Sequence, residues 1–302
     1  MSVSARDRHA QMLQQAYDPD VIRQGPDLGP GEGDSSVVEV QNFLRRFGYF
    51  DFAPGALDTA PEPGHLDEAT LLALVELQMR YDIGTPGVLD AATRDFMAAP
   101  RCGMPDLFGR PSINFRIVCA WNRRNLSYQF GRPGASAITT DVTQGVAINA
   151  IRRALNTWAG AGVGLTFRVI TGGDIAIDAD IRIEWRPAAD PDSSMVGNVV
   201  AHADYPPGCS VVTSDYPKPL HFDDSDTWVD GAVAGGYDIE TVALHELGHL
   251  LGLDHSTVPG TVMWPTVYSN YTLRTLQPDD LAGIRALYPP PLGGLLGIIV
   301  GG

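Results

Sequence analysis

The chain has 302 residues, of which 44% are hydrophobic and 19% charged, a globular composition with room for two domains. Its formal net charge is −15, from 21 basic and 36 acidic residues, which argues against nucleic acid or an anionic membrane as a partner and suits divalent cations. No stretch reaches the roughly 18 apolar residues that a membrane-spanning helix needs, so no transmembrane anchor is expected, and no signal peptide is visible at the N-terminus.

The first hundred residues predict a leader followed by a small helical unit. The first 35 residues are expected to contain a short helix and then the run QGPDLGPGEGDSS, whose composition predicts a flexible leader. Apolar residues spaced from Val37 to Phe47 predict a first helix. A second helix fits Asp67–Tyr81 with Asp67 as its N-cap, and a similar motif makes Asp90 the N-cap of a third. A helical domain over 36–99 follows from these elements.

From about residue 111 the pattern changes to strands around one long helix. Strands are predicted at Leu126–Phe130, Leu165–Ile170, Ile181–Trp185 and Asn198–Tyr205. The long helix covers Val142–Ala159, with an apolar stripe predicted to face the core: Val146, Ile148, Ile151, Leu155 and Trp158.

The segment His245–His255 reads HExxHxxGxxH, and Met263 follows eight residues later. Residues i and i+4 share a helix face, so His245 and His249 can direct both imidazoles at one point. Gly252 can end the helix in the left-handed conformation and return His255 as a third ligand. Three imidazoles leave one position of a tetrahedral zinc open, as catalysis requires. Glu246 is then the predicted general base.

Two segments resemble matrix metalloproteinases, also called matrixins, of the metzincin clan. HELGHLLGLDHSTVPGTVMWP at 245–265 resembles their active-site segment, and PRCGMPD at 100–106 resembles their cysteine switch. The resemblance implies an α+β fold: a helical, peptidoglycan-binding-like prodomain, then a metzincin catalytic domain. That domain would have a twisted, mostly parallel sheet with an antiparallel edge strand, long helices and zinc in the cleft. The implied boundaries are 36–99 for the prodomain, 100–110 for the switch and linker, 111–290 for the catalytic domain and 291–302 for a short tail.

The resemblance further implies a zymogen of a zinc endopeptidase. Cys102 would fill the fourth zinc position, since a thiolate is a tight zinc ligand, and Arg101 would pair with Asp106 to support the switch loop. An activating protease would remove the prodomain. Peptide substrates would then add to the edge strand at 198–205 as an extra antiparallel strand. The alternative is an inactive cell-wall or glycan-binding protein with a vestigial metal site.

The family's additional metal sites are altered in this sequence. His202 and His221 lie in segments that resemble those holding a structural zinc. The family's HxD pair is replaced by Asp190 and Asp192, of which Asp192 matches the family and Asp190 stands for the histidine. Asp223 and Asp226 match calcium positions, with a solvated acidic turn as the competing interpretation.

Further roles carried over from the family concern the floor of the site and its activation. Met263 would form the Met-turn beneath the zinc, Asp279 would receive the new N-terminal ammonium, and Asp280 would brace the Met-turn. Thr241 stands where larger side chains limit the S1′ pocket, which predicts an open pocket for Leu, Met or aromatic groups. The family implies a secreted, monomeric enzyme acting on the extracellular matrix. The remaining cysteines, Cys119 and Cys209, form either a disulfide or two free buried thiols.

Overall fold

The computed structural model describes residues 10–52, 60–107, 118–131, 138–171 and 179–290. The N-terminal part is helical, and its helices are α1 (Pro19–Gln24), α2 (Val37–Arg46), α3 (Tyr49–Phe52), α4 (Glu68–Tyr81) and α5 (Ala91–Met97). Asp67 caps α4 by accepting a hydrogen bond from Thr70 N, and Asp90 caps α5 in the same way through Thr93 N. The predicted helical unit and both N-caps are therefore confirmed.

Residues 10–35 do not form the flexible leader that their composition predicts. Residues 10–13 are helical, and five apolar side chains of this stretch are buried: Met12, Leu13, Tyr17, Ile22 and Leu28. Bridges also tie Leu28 to Leu89 and Gly33 to His65. The prediction is wrong here because the Gly/Pro run outweighs a few well-spaced apolar residues in a composition count. Residues 1–9 of the predicted leader, residues 108–110 of the predicted linker and the 291–302 tail lie outside the described residues.

The second part of the chain, here called the catalytic region, is built on one mixed sheet. Its strands are β1 (Arg101–Cys102), β2 (Asn125–Phe130), β3 (Thr166–Val169), β4 (Ile181–Arg186), β5 (Val199–Ala203) and β6 (Lys218–Asp223), in the order β1-β5-β6-β4-β2-β3. All pairs are parallel except β5 with β6. A two-stranded sheet pairs β7 (Trp228–Val229) with β8 (Tyr237–Asp238). This is the α+β arrangement predicted for a metzincin domain.

Three helices complete this region: α6 (Gln144–Ala159), α7 (Ile239–Leu250) and α8 (Pro278–Leu287). The core lies between the sheet and the packed pair α6 and α7, where Trp158 Nε1 donates to Leu244 O at 2.9 Å. The predicted stripe of α6 is partly wrong. Val146 and Ile148 are half-buried, and the core face instead uses alanines at three positions: Ala147, Ala150 and Ala154. Small residues there let α6 approach α7 closely. Among the described residues, no helix has the length and apolar character to cross a membrane.

Candidate metal centres

Helix α7 and the turn after it bring three histidines to one point. Asp238 caps the helix by accepting a hydrogen bond from Thr241 N. Gly252 has φ +102°, and a Cβ there would overlap Cys119 O, so glycine is required where the chain turns to return His255. His245 Nε2 and His249 Nε2 lie 3.1 Å apart, and the rings of His249 and His255 have centroids 4.8 Å apart.

Each imidazole is held through Nδ1, so that Nε2 is directed into the cluster. His245 Nδ1 donates to Val262 O at 2.7 Å, and His249 Nδ1 donates to Leu253 O at 2.8 Å. His255 Nδ1 lies 2.9 Å from a carboxylate oxygen of Asp106. Such outer partners fix the tautomer of metal-ligating histidines. His255 Nε2 is buried with no hydrogen-bond partner, as expected of a nitrogen that serves as a metal ligand.

Cys102 is the fourth member of this cluster. Ligand atoms of Cys102, His245, His249 and His255 all lie within 4.8 Å of one another, and the four residues are buried. Cys102 Sγ is 3.5 Å from His249 Nε2. Burial lowers the pKa of His245 to about 3 and keeps that of His249 well below its usual value. Burial therefore favours the neutral form of these two imidazoles, which is the form that binds metal. One cysteine sulfur and three histidine nitrogens form a donor set that suits tetrahedral zinc.

Glu246 lies beside the cluster and lines the same cavity as Cys102. Its side chain is almost completely buried, and burial raises its pKa to about 8. The cavity measures about 380 Å³ and continues past Thr241 to Val267 and Tyr268. A carboxyl group that lines a cavity next to a cluster of metal-binding side chains is a candidate general base.

The switch segment is fixed by a buried ion pair. Arg101 Nη2 and Asp106 Oδ1 lie 2.5 Å apart, and both side chains are fully buried. Tyr49 donates its hydroxyl to Asp106 at 2.9 Å, and the Arg101 guanidinium stacks on Phe47 at 3.7 Å from the ring centroid. Although burial alone would raise it, the pKa of Asp106 is held well below its usual value by Arg101 and by His255.

The switch segment also occupies the edge that was predicted to bind substrate. Gly103 N donates to Ala201 O at 2.8 Å, and β1 runs parallel to β5. On the other side of the switch segment, Cys102 N donates to Pro265 O at 3.0 Å. Strand β5 is therefore not an open edge in this structure, because the switch segment is hydrogen-bonded to it.

Met263 and the two aspartates of α8 lie beneath the histidine cluster. Met263 is buried under α7, where a Cβ on Gly248 would overlap its sulfur. Asp280 accepts hydrogen bonds from Val262 N at 3.0 Å and Met263 N at 3.1 Å, which places it where a brace of this turn must be. Asp279 accepts a hydrogen bond from the Ser256 hydroxyl at 2.6 Å.

A second buried cluster joins Asp190, His202 and His221. Asp190 Oδ2 is 3.1 Å from His202 Nε2 and 2.6 Å from His221 Nδ1. The strand register creates this cluster, since β5 and β6 pair His202 with His221. The structure separates the two predicted aspartates: Asp190 is fully buried, whereas the side chain of Asp192 is 37% exposed and 3.9 Å from His221. Asp192, the residue that matches the family's HxD pair, thus lies outside this cluster.

Glu184 was missed by sequence reasoning at this second cluster. The β4–β6 register pairs it with His221, and its Oε2 lies 3.4 Å from His221 Nε2 while Asp190 faces the other ring nitrogen. Burial lowers the pKa of His221, but hydrogen bonds to Asp190 and Glu184 outweigh that effect and raise it. The signal available in the sequence was a Glu within a predicted strand. Its partner, His221, is identified only by the strand register.

The proposed calcium residues lie close to the end of β6. Asp223 is buried and accepts hydrogen bonds from Ser225 N and the Ser225 hydroxyl. Burial and the charge of Asp223 raise the pKa of Asp226 to about 7. Two carboxylates that resist ionisation together would gain from a bound cation.

Cys119 and Cys209 form a disulfide, with Cα atoms 6.3 Å apart. Of the two alternatives for this pair, the structure therefore has the bonded one. Because all three cysteines of the chain lie in described ranges, Cys102 is the single free thiol.

Comparison with known proteins matches both parts of the chain. The family model described as Matrixin matches residues 120–289, and the model described as Putative peptidoglycan binding domain matches residues 33–97. The chain is 34% identical over 266 residues to the hatching enzyme of Paracentrotus lividus, covering 85% of this chain and 40% of that protein. It is 32% identical over 288 residues to human matrix metalloproteinase-15, covering 88% of this chain and 40% of that protein. It is 33% identical over 221 residues to human matrix metalloproteinase-19, covering 72% of this chain and 39% of that protein. The chain thus spans about 40% of the length of these relatives.

Proposed function

This chain belongs to the matrixin family, and on that basis we propose that it is the latent form of a zinc-dependent endopeptidase. The observation that carries the proposal is the buried group of Cys102, His245, His249 and His255, with ligand atoms within 4.8 Å of one another. Three histidines alone would leave a catalytic zinc with an open position, and Cys102 stands ready to close it. Latency is then a matter of occupancy.

In the active form, His245, His249 and His255 would hold the zinc, which supplies Lewis-acid polarisation of the scissile carbonyl and a lowered pKa for water. Glu246 takes the proton of the attacking water and passes it to the leaving amine. Both roles require Glu246 to be ionised at the start of each cycle. Burial raises its pKa to about 8 while Cys102 covers the cleft, so entry of water on release of Cys102 favours the ionised base.

Substrate would bind where the switch segment now lies. Strand β5 offers backbone groups at Ala201 that presently accept from Gly103, and a peptide can use them after the prodomain leaves. The cavity of about 380 Å³ beyond Thr241 then accepts the P1′ side chain. Its size favours Leu, Met or aromatic groups, and a peptide-library profile dominated by small or charged P1′ residues would contradict this assignment.

Two further ions belong to the proposal. Asp190, His202 and His221 would bind a second, structural zinc, and their arrangement around one carboxylate oxygen supports it. Asp223 and Asp226 would contribute to a calcium site. We further propose that the enzyme is secreted and activated by another protease, and that Asp279 pairs with the new N-terminal ammonium.

The test is a processing experiment on the full-length protein. Trypsin or an organomercurial is added, and casein cleavage and intact mass are followed together. Arg116, which precedes Ile117, offers a tryptic site between the switch and the matched Matrixin region. Activity is expected to appear with the loss of the prodomain. The matched control, Glu246→Ala, should retain zinc by metal analysis but cleave nothing. Casein cleavage by Glu246→Ala would refute the proposed mechanism.

A second candidate function follows from the match of residues 33–97 to a putative peptidoglycan binding domain. In that case the helical unit would attach the chain to cell wall, and the metal site would be vestigial. Sedimentation of the full-length protein with insoluble peptidoglycan, together with no casein cleavage after processing, would favour this alternative.

A further inference from the structure

Residues 10–18, here called the N-terminal strap, contact the region that surrounds the switch cysteine. Met12 is 2% exposed and Leu13 is 3% exposed. They share one buried cluster with Cys102, Met104 and other residues that follow strand β5, namely Tyr205 and Val211. Two apolar side chains from the start of the chain are therefore buried in the same cluster as Cys102.

Hydrogen bonds fasten the strap to the loop between β4 and β5. Ser194 N donates to Leu13 O at 3.0 Å. The Gln14 side chain donates to Asp190 O at 3.3 Å and to Pro191 O at 3.1 Å. The strap thus binds main-chain atoms of the loop through the carbonyl of Leu13 and the side-chain amide of Gln14.

The strap is anchored to the prodomain by Tyr17. Its ring meets Phe43 edge-on at 5.2 Å and Phe47 at 6.0 Å, and Phe47 also stacks with Arg101. On its other side, Tyr17 leaves no room for a side chain at Gly197, where a Cβ would lie 2.5 Å from Tyr17 O. The anchor therefore lies between the prodomain aromatic cluster and the catalytic region.

Arg46 reinforces the same boundary from helix α2. It is fully buried and donates to Ser193 Oγ at 3.0 Å and to Ser194 O at 3.3 Å. The loop that the strap covers is thus held from two sides by prodomain residues. This loop also carries Asp190 of the second cluster.

We propose that the N-terminal strap is a second inhibitory element, which docks on the catalytic region beyond Ala203 and shields Cys102. The switch segment pairs with β5 through its residues up to Gly103. The strap packs beside Tyr205 and Val211, which follow β5 in the chain. The surface accepts the end of the short helix at residues 10–13, with two adjacent apolar side chains and the carbonyl of Leu13 directed at it. Removal of the strap alone would expose the thiol, before any cleavage near residue 110. The inhibitory part of this inference rests on the proposed function, whereas the shielding of Cys102 does not.

The test measures alkylation of Cys102 by iodoacetamide in the full-length, zinc-loaded protein. Cys102 is the single free thiol, so the labelled site is unambiguous. The double variant Met12→Ser/Leu13→Ser removes the apolar cover. The control Val21→Ser/Met79→Ser makes a similar change at prodomain side chains that are 39% and 70% exposed.

We expect the strap variant to be alkylated at least about tenfold faster than the control. Without the apolar side chains at positions 12 and 13, the strap can detach locally from the catalytic region at a lower free-energy cost. The milder Gln14→Ala variant, which keeps the apolar residues, should shift the rate in the same direction and guards against misfolding of the double variant. Equal alkylation rates in the strap variants and the control would overturn the proposal. Faster alkylation supports the strap whether or not peptide is cleaved, while failure of the trypsin-processed protein to cleave peptide counts against the proposed function instead.

Discussion

Replacement of Arg101 by Met tests whether the buried ion pair maintains latency. Methionine keeps an apolar stem against Phe47 but leaves the Asp106 carboxylate without its guanidinium partner. Removing one member of a buried pair costs about 3–5 kcal/mol. Asp106 retains Tyr49 and His255 as hydrogen-bonding partners, so the lower end applies. At 1.4 kcal/mol per tenfold change, about 3 kcal/mol lowers the ratio of closed to open switch roughly 100-fold.

The assay for Arg101→Met uses two readouts on unprocessed protein. Alkylation of Cys102 is measured in a Glu246→Ala background, where self-processing cannot remove the prodomain. Basal cleavage of a fluorogenic peptide is measured with Glu246 intact. The double variant Arg101→Met/Asp106→Asn carries no unpaired charge and should recover most of the latency, while Asp20→Asn, at an exposed prodomain ion pair, should change nothing. If Arg101→Met is as latent and as slowly alkylated as the wild type, the ion pair does not maintain the closed switch.

Three other predictions concern the thiol, the second cluster and the acidic pair. Cys102→Ser should cleave peptide without processing, since a hydroxyl does not replace the thiolate on zinc; a folded but latent variant would contradict the switch. Glu184→Gln should weaken retention of the second zinc by about 10–100-fold because His221 loses its orienting carboxylate, as measured by zinc content during dialysis against graded chelator, and unchanged release would count against this role. Burial raises the pKa of Asp226 from 3.8 to about 7, so its contribution to stability is present at low pH and is lost as the pH rises through 7. Between pH 5 and 8 in calcium-free buffer, Tm should therefore fall more for the wild type than for Asp226→Asn, and calcium should raise Tm at pH 8 in the wild type alone; identical curves would refute a calcium role.

Sequence reasoning succeeded where local pattern and chemistry coincide. The spacing of His245, His249 and His255 predicts one cluster, because helix periodicity and a left-handed Gly252 together fix where the imidazoles point. The caps at Asp67 and Asp90 are equally local. These features depend on a few neighbouring residues and need no knowledge of the rest of the fold.

Features that depend on strand register or on distant packing could not be predicted. Asp190 and Asp192 are two positions apart in the sequence, and only the loop conformation decides that Asp190 faces His202. Glu184 is one of several polar residues in a strand until its register places it opposite His221. Met12 falls in the predicted flexible leader. Its burial could not be predicted because it depends on a surface contributed by residues about 200 positions later.

Asp106 couples the prodomain to the catalytic cluster beyond the occupancy of the fourth zinc position. His245 and His249 are oriented by the carbonyls of Val262 and Leu253, which belong to the catalytic region and stay with it after processing. His255 is instead oriented by Asp106, which leaves with the prodomain. Under the proposed activation, processing would therefore remove both the thiolate and the outer partner of one histidine. Since outer partners raise the affinity of a metal site, the processed enzyme should release zinc to a chelator faster than the Cys102→Ser protein, in which Asp106 remains. Equal release rates would show that Asp106 acts on the switch alone.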